Sequence, residues 1–423
     1  MLRLLYTAAL HLAAPIALAA TAVRGLRDPA YRERLGERFG FTKARFQSAP
    51  VWVHAVSVGE VQAAAALIRE LRKRYTQHPL LVTTATPTGA QRIAALFGDS
   101  ARHVYLPYDT PGAVRRFLDR VSPRIAIVME REIWPNLFRE CTRRAIPIVL
   151  ASARISASSA ERHRRLRGLF APVLARNVTI AAQTQADAER YHAIGADPSA
   201  IHVTGNVKFD LDVPAETRAM GVALRNAHFP ERPVWVAGST HEGEEEILLD
   251  AHRRVLELQP GALLILVPRH PNRFAGVAAW LRSRGVSFTA RSARAPVPAG
   301  NPVLLADTLG ELLALYSAGD VAFVGGTLTP IGGHNMLEPA ALSLPIIVGP
   351  HNFNAPDIAQ MFVNAGAAIE VASAEQLAEA VADLLGNARR RQEMGAKGRS
   401  IVDANRGALE RVMQLVVGNL RSM

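Results

Sequence analysis

One loop of this chain concentrates residue types that bind phosphates and sugars: Gly325-Gly326-Thr327-Leu328-Thr329-Pro330-Ile331-Gly332-Gly333-His334-Asn335-Met336-Leu337-Glu338-Pro339. An apolar, strand-like run at 321–324 leads into it, and residues 337–344 have helical character. Glycines let backbone N–H groups approach an anion closely, and a helix N-terminus adds about half a positive charge. Glu338 falls in the first helical turn, where it could accept hydrogen bonds from sugar hydroxyls. A tight strand-to-helix turn would account for the glycines alone. The company of His334, Asn335 and Glu338 favours a nucleotide or sugar-phosphate site.

Other candidates stand at comparable places. Glu60 follows the apolar run 51–56, and Glu130 ends the run 125–129. Ligands of parallel sheets sit beyond the C-terminal ends of the strands, so both acids fall where chemistry is done. An acid after a strand also serves as an ordinary helix-start residue. Arg269, in Pro268-Arg269-His270-Pro271, ends a very apolar strand and suits a phosphate clamp. Lys208 could pair with a substrate anion or be a plain surface lysine. Asp210-Leu211-Asp212 spells a D-x-D pattern; used for metal, it would need another fold, so it reads as coincidence. His241-Glu242-Gly243-Glu244-Glu245 is not HExxH, and no metal site is expected. Ser239 or Thr240 could cap the helix that these acids open.

These residues need a scaffold that repeats. Short apolar runs at 51–56, 80–84, 103–106, 125–129, 147–151 and 179–182 alternate with amphipathic helical stretches. A second series has strands at 234–238, 262–267, 303–306, 321–324 and 345–348, and closes with helices from Ala374, capped by Ser373, and from Gly407. Such alternation predicts parallel, doubly wound α/β sheets. The polar stretch 214–232, with Pro214 and Pro230, separates the series. The expected division is an apolar helix at 1–24, a Rossmann-like domain at 25–212, a linker at 213–232 and a second Rossmann-like domain at 233–423. There is no GxGxxG and no Walker A, which leaves dinucleotide dehydrogenases and P-loop enzymes without support.

Residues 4–23 are almost free of charge, close to the length that spans a bilayer. Ala17-Leu18-Ala19 resembles the end of a cleaved signal peptide, and a buried helix is a third reading. Arg24, Arg27, Arg32, Arg34 and Arg38 crowd the downstream side, which favours a membrane anchor with a cytoplasmic body. The formal net charge of +12 and pI near 10.5 point to anionic partners. Acidic lipid or phosphorylated substrate suits better than nucleic acid, for which there is no zinc-finger spacing or aromatic RNA-binding signature. The basic run 154–167 could meet lipid phosphates or be a solvated face. A single cysteine, Cys141, excludes an intrachain disulfide.

Taken with His54-Ala55-Val56-Ser57-Val58-Gly59-Glu60, Thr83-Thr84-Ala85-Thr86-Pro87-Thr88-Gly89, Tyr105-Leu106-Pro107-Tyr108-Asp109, Met129-Glu130-Arg131-Glu132-Ile133-Trp134-Pro135-Asn136, Ser239 to Glu245, Val267 to Pro271 and Gly332-Gly333-His334-Asn335, the chain closely resembles the 3-deoxy-D-manno-octulosonic acid (Kdo) transferases of Gram-negative lipopolysaccharide synthesis. The resemblance covers nearly the whole chain; Ala55 departs from the serine expected in many relatives. It implies a GT-B glycosyltransferase, with two Rossmann-like domains facing a central cleft and an apolar membrane-associated N-terminal helix. It implies transfer of Kdo from CMP-Kdo to a lipid A precursor (lipid IVA), with inversion at the anomeric carbon, at the cytoplasmic face of the inner membrane. No cofactor is implied, and the expected partners are the donor, the lipid acceptor and inner-membrane lipids. The resemblance carries the general base onto Glu60 and transition-state support onto Glu130 and Lys208. It carries CMP contacts onto Pro268, Arg269, Leu309, Gly310, Glu311, Asn335, Met336, Leu337 and Glu338. A GT-B-like nucleotide-sugar epimerase and a non-catalytic protein that binds anionic lipid are the alternatives.

Overall fold

The computed structural model describes residues 2–421 and divides into two units, one of residues 2–210 with 405–421, the other of residues 211–404. In the first unit the apolar runs form β1 (Val51–His54), β2 (Leu80–Thr84), β3 (Arg102–Tyr105), β4 (Ile125–Met129), β5 (Ile148–Ala153), β6 (Val178–Ala182) and β7 (Ile201–Val203). Among the described residues these make a seven-stranded sheet in the order β3-β2-β1-β4-β5-β6-β7. All its pairs are parallel; Val51 faces Leu80 on one side and Ile125 on the other. The order reverses at β1 and β4, the switch point beside which such sheets place ligands. Glu60 and Glu130 follow those two strands.

β1, β2, β4 and β5 are buried along their whole length, which is why they read as continuous apolar runs rather than alternating ones. One face packs Trp52 against Phe117, with ring centroids 5.2 Å apart. The other face receives the helix Ala408–Arg421, whose Val412, Met413, Val416 and Leu420 join the cluster of Val51 and Val53. The backbone N–H groups of Gly407 and Leu409 donate to the Asp210 carboxylate at the start of this helix. The acid of the D-x-D pattern therefore caps a helix. Residues 405–421 were expected in the second domain and belong here instead, because an amphipathic stripe does not say which sheet it covers.

The second unit holds β8 (Val234–Thr240), β9 (Leu263–Pro268), β10 (Phe288–Ala290), β11 (Val303–Leu305), β12 (Val321–Val324), β13 (Ile346–Val348) and β14 (Ala368–Glu370). Among the described residues they form a seven-stranded parallel sheet in the order β10-β11-β9-β8-β12-β13-β14. Part of the expected linker is helix, Ala215–His228, and packs on this unit with Leu224 in its core. Inside, Trp235 Nε1 donates to His252 Nδ1 at 3.0 Å, and His252 Nε2 lies 2.8 Å from the carbonyl of Pro302. Burial first, then Arg232, lowers the His252 pKa to about 4 against the Pro302 contact, so the ring is neutral at pH 7. Ser373 caps the helix Ala374–Gly386 as its position suggests, accepting from the N–H of Gln376.

Gly325 is required by a close approach. A Cβ there would lie 2.4 Å from the carbonyl oxygen of Ser239, at the neighbouring ends of β12 and β8. Gly325→Ala must part the two strand ends, an overpacking that costs roughly 1–3 kcal/mol. Thermal unfolding of the variant is expected to begin several degrees below wild type, and an unchanged midpoint would contradict this packing.

Candidate functional site

The chain offers two groups of chemically capable residues, one on each unit. In the first, Glu60 lies in the opening turn of the helix Val58–Arg74 and is 8% exposed. The N–H of Val56 donates to its Oε2 at 2.8 Å, which points the carboxyl back toward the end of β1. Burial raises the Glu60 pKa to about 8. The Val56 N–H opposes this, Glu130 and Glu132 reinforce it, and Lys208 opposes it again. A carboxyl poised near neutrality suits proton abstraction from a hydroxyl.

Glu130 follows β4 with φ of 55°, a left-handed conformation that a non-glycine residue adopts only where the surroundings enforce it. The enforcing contacts are visible. Its N–H donates to Ala151 O, its carbonyl accepts from Arg154 N, and its carboxylate is clamped on both oxygens. Lys208 Nζ sits 2.7 Å from Oε1, and Arg154 Nε sits 2.8 Å from Oε2. Burial opposes ionisation of Glu130, but Lys208 and then Arg154 outweigh it and hold the pKa below the ordinary carboxylate range. Lys208 is placed by a 3-10 turn, Val207–Phe209, whose cap Asn206 accepts from the Lys208 N–H. One carboxylate with two cations leaves this cluster with a net positive charge, favourable to an acidic ligand group.

Glu60, Glu130 and Lys208 are thus brought together. Arg154 completes the cluster, and reading the sequence did not single it out. Its signal was faint: the first cation of a basic run, one residue past the end of β5.

In the second unit Arg269 and His270 stand exposed just beyond β9, and the Arg269 N–H donates to Thr240 O at 3.0 Å. Among the described residues the Arg269 guanidinium makes no ion pair with a carboxylate. Beside it, His241 and His334 lie with rings nearly parallel, at 4°, and Nε2 atoms 2.7 Å apart. His270 packs edge-on against His241 at 5.3 Å. Burial first, then the neighbouring histidines and Arg269, lower the His334 pKa to about 3; the His241 and His270 pKa values also fall. Neutral rings at pH 7 then let one Nε2–H donate to the other Nε2. All three histidines were visible in the sequence motifs, but nothing in their spacing joined them.

Glu311 accepts from Arg291 at 2.9 Å and from the Thr308 hydroxyl. Between them Gly310 has φ of 81°, and Leu309 is 70% exposed. Asn335 is exposed; its Oδ1 accepts from Leu337 N, and its Nδ2 donates to Glu338 Oε1 at 3.2 Å. Pro268, Met336 and Leu337 have buried side chains, so they offer a ligand mainly their backbone.

The glycine loop differs from expectation in one important respect. Its first amides already hold an anion, and that anion belongs to the chain. Glu244, fully buried, accepts from the N–H groups of Gly326 at 2.7 Å and of Thr327 and Leu328 at 3.0 Å, and from His241 N at 3.0 Å. The N–H groups of Gly332 and Gly333 turn inward to Gly326 O. The helix after the loop is one short turn, Leu337–Ala341. The helix carrying Glu244, Glu244–Leu258, starts after Gly243, so neither Ser239 nor Thr240 caps it. Thr240 instead donates to Glu245, which also pairs with Arg273 at 2.7 Å.

A family model described as 3-Deoxy-D-manno-octulosonic-acid transferase (kdotransferase) matches residues 33–211, and one for group 1 glycosyl transferases matches residues 302–401. The 3-deoxy-D-manno-octulosonic acid transferase of Haemophilus influenzae is 41% identical over 419 residues, 98% of either chain. Among solved structures, a glycotransferase of kitacinnamycin superposes with a TM-score of 0.54 at 15% identity, over 88% of this chain and 100% of that one. A putative UDP-N-acetylglucosamine 2-epimerase of Listeria monocytogenes does so at 0.57 and 14%, over 90% and 98%. At such identities the structural likeness speaks for the GT-B type of fold alone.

Proposed function

This chain belongs to the 3-deoxy-D-manno-octulosonic acid (Kdo) transferase family of glycosyltransferases, and from that premise we propose that it moves Kdo from CMP-Kdo onto a lipid A precursor, with inversion at the anomeric carbon. The observation that carries the reading is the cluster at the switch point of the first sheet: a carboxyl, Glu60, held protonatable near neutral pH beside a carboxylate, Glu130, locked to two cations.

The acceptor hydroxyl oxygen forms a bond to the anomeric carbon while its proton passes to the Glu60 carboxylate. The bond from that carbon to the phosphate oxygen breaks, and its electron pair leaves with CMP. Charge grows on the departing phosphate, where a guanidinium stabilises it. Arg269 is the cation we assign to that phosphate. The exposed Leu309, with Gly310 and Glu311, and the turn from Asn335 to Glu338 contact the rest of the nucleotide. Lys208 and Arg154, anchored by Glu130, face an acidic group of donor or acceptor.

Arg269→Ala is expected to weaken CMP binding about 10- to 100-fold in calorimetry, the size of a lost charge-assisted contact. An unchanged affinity would remove Arg269 from the phosphate. The acceptor separates this reading from the epimerase alternative. Release of CMP from CMP-Kdo should require the lipid, whereas an epimerase would act on the donor with no lipid present.

A further inference from the structure

The helix Leu2–Arg27 is long and apolar enough to cross a membrane. Its surface, however, is arranged in the reverse sense to a helix packed in water. The less exposed positions are 3, 6, 7, 10, 14, 17, 18 and 21, all half-buried, and the buried Gly25. They recur every turn and fall within about 120° of the helix circumference. That inner stripe carries most of the polar groups of the helix: Arg3, Tyr6, Thr7 and Thr21. The opposite face presents Leu4, Leu5, Leu12, Ile16, Val23 and Leu26, from 60 to 77% exposed.

The inner stripe is also tied to the first unit at its start, and its far end packs on the turn that leads the chain back to the sheet. At the start, the Tyr6 hydroxyl donates to Asp109 at 2.9 Å, and Thr7 pairs with Asn136, whose Nδ2 lies 3.2 Å from Thr7 Oγ1. A Cβ built on Gly168 would lie 3.0 Å from Leu2 Cδ1. At the far end, Gly25 is buried against the Arg32 side chain. The chain then returns to the sheet within a few residues, where Glu37 accepts from Tyr105 N and Arg38 donates to Ala85 O. A helix that crossed the bilayer would have lipid on every face through its middle and its two ends on opposite sides.

We propose that residues 2–26 lie in the plane of the membrane as a monotopic contact element, with protein on one face, lipid on the other, and both ends on the side of the first unit. The occupant of the outer face is the surface of an anionic phospholipid bilayer. Charge complementarity selects it. Arg162, Arg164, Arg165 and Arg167, exposed beside Gly168, flank the start of the helix, and the exposed Arg24 and Arg32 flank its end. Basic side chains at the edges of an apolar face are the pattern of interfacial helices. The inference rests on the reading that the protein works on a membrane lipid.

The test uses the full chain in native membranes. Cys141 is buried and leaves a quiet background. Leu2→Cys combined with Gly168→Cys should form an intramolecular disulfide on mild oxidation. Leu2→Cys alone should react with a membrane-impermeant maleimide in inverted vesicles and not in right-side-out ones. Failure of the disulfide to form, labelling of Leu2→Cys from the outer side, or a disulfide-linked pair of copies would each overturn the in-plane arrangement. Leu12→Asp with Ile16→Asp should release the protein from vesicles containing anionic lipid while its unfolding midpoint stays unchanged. Binding that survives this double change would also overturn it. Wild type that does not associate with membranes at all would instead defeat the underlying membrane reading.

Discussion

Glu60→Gln is expected to lower Kdo transfer by a factor of about 10² to 10⁴, the usual worth of a positioned general base. CMP affinity should be untouched, because the residues assigned to CMP are on the other unit. The pH profile gives a second, independent sign. Only the ionised carboxylate can take the proton, and the Glu60 pKa is raised to about 8, first by burial. Wild-type turnover should therefore rise about tenfold per pH unit below 8 and level off above it, while residual turnover of the variant should be flat.

Stability runs the other way. A carboxyl whose folded pKa lies above its unfolded value binds its proton more tightly when folded. The stability from that proton is complete below about 4.5 and is lost as pH rises through about 8. Glu60→Gln removes an ionisable group the fold prefers neutral, so its unfolding midpoint at pH 9 should be no lower than that of wild type. A variant that loses activity only because it unfolds would contradict the assignment.

The largest effect on stability is expected at Glu244. Four backbone N–H groups, from His241, Gly326, Thr327 and Leu328, converge on this one buried carboxylate. Glu244→Ala strands the buried N–H groups of Gly326 and Thr327 away from water and leaves those of His241 and Leu328, partly exposed, without their acceptor. Each orphaned donor costs about 1–3 kcal/mol, and partial relaxation should leave a total of roughly 3–5 kcal/mol. Melting of the chain should fall by about 10 °C. The loop should also lose its shape, so CMP binding should fail even where the variant remains folded. Glu244→Gln, which retains one acceptor oxygen but turns an NH₂ group toward the amides, should fall between the two. An alanine variant as stable as wild type would show that the carboxylate does not organise the loop.

The long, buried parts of the fold were legible in the sequence. β1, β2, β4 and β12 lie where their apolar runs place them, because strands covered on both faces carry continuous hydrophobic residues. The three strands missed, β7, β10 and β14, are three-residue edge strands. Edge strands bury only one side, and their mixed composition gives no period to detect. The helix 408–421 was visible as a helix but not as a partner of the first sheet, since its capping acid, Asp210, lies some 200 positions earlier in the chain.

At the site, the places of Glu60 and Glu130 were legible because β1 and β4, which they follow, are buried strands at a switch point; Lys208, on a turn after the edge strand β7, had no such signal. Glu244 was not legible either. It read as one of three acids at a helix start, and a count of glycines did not reveal that the loop's first amides were already taken. The His241–His334 contact joins residues 93 positions apart, and no local pattern announces such a pair.

Kdo transfer is tested by the mass of the lipid. Purified full-length protein in detergent is incubated with CMP-Kdo and a tetra-acylated lipid A precursor, and the lipid is weighed. Transfer predicts a gain of one or more Kdo units, with CMP released in equal number. A lipid of unchanged mass, from folded protein that binds CMP, would rule out Kdo transfer to this acceptor.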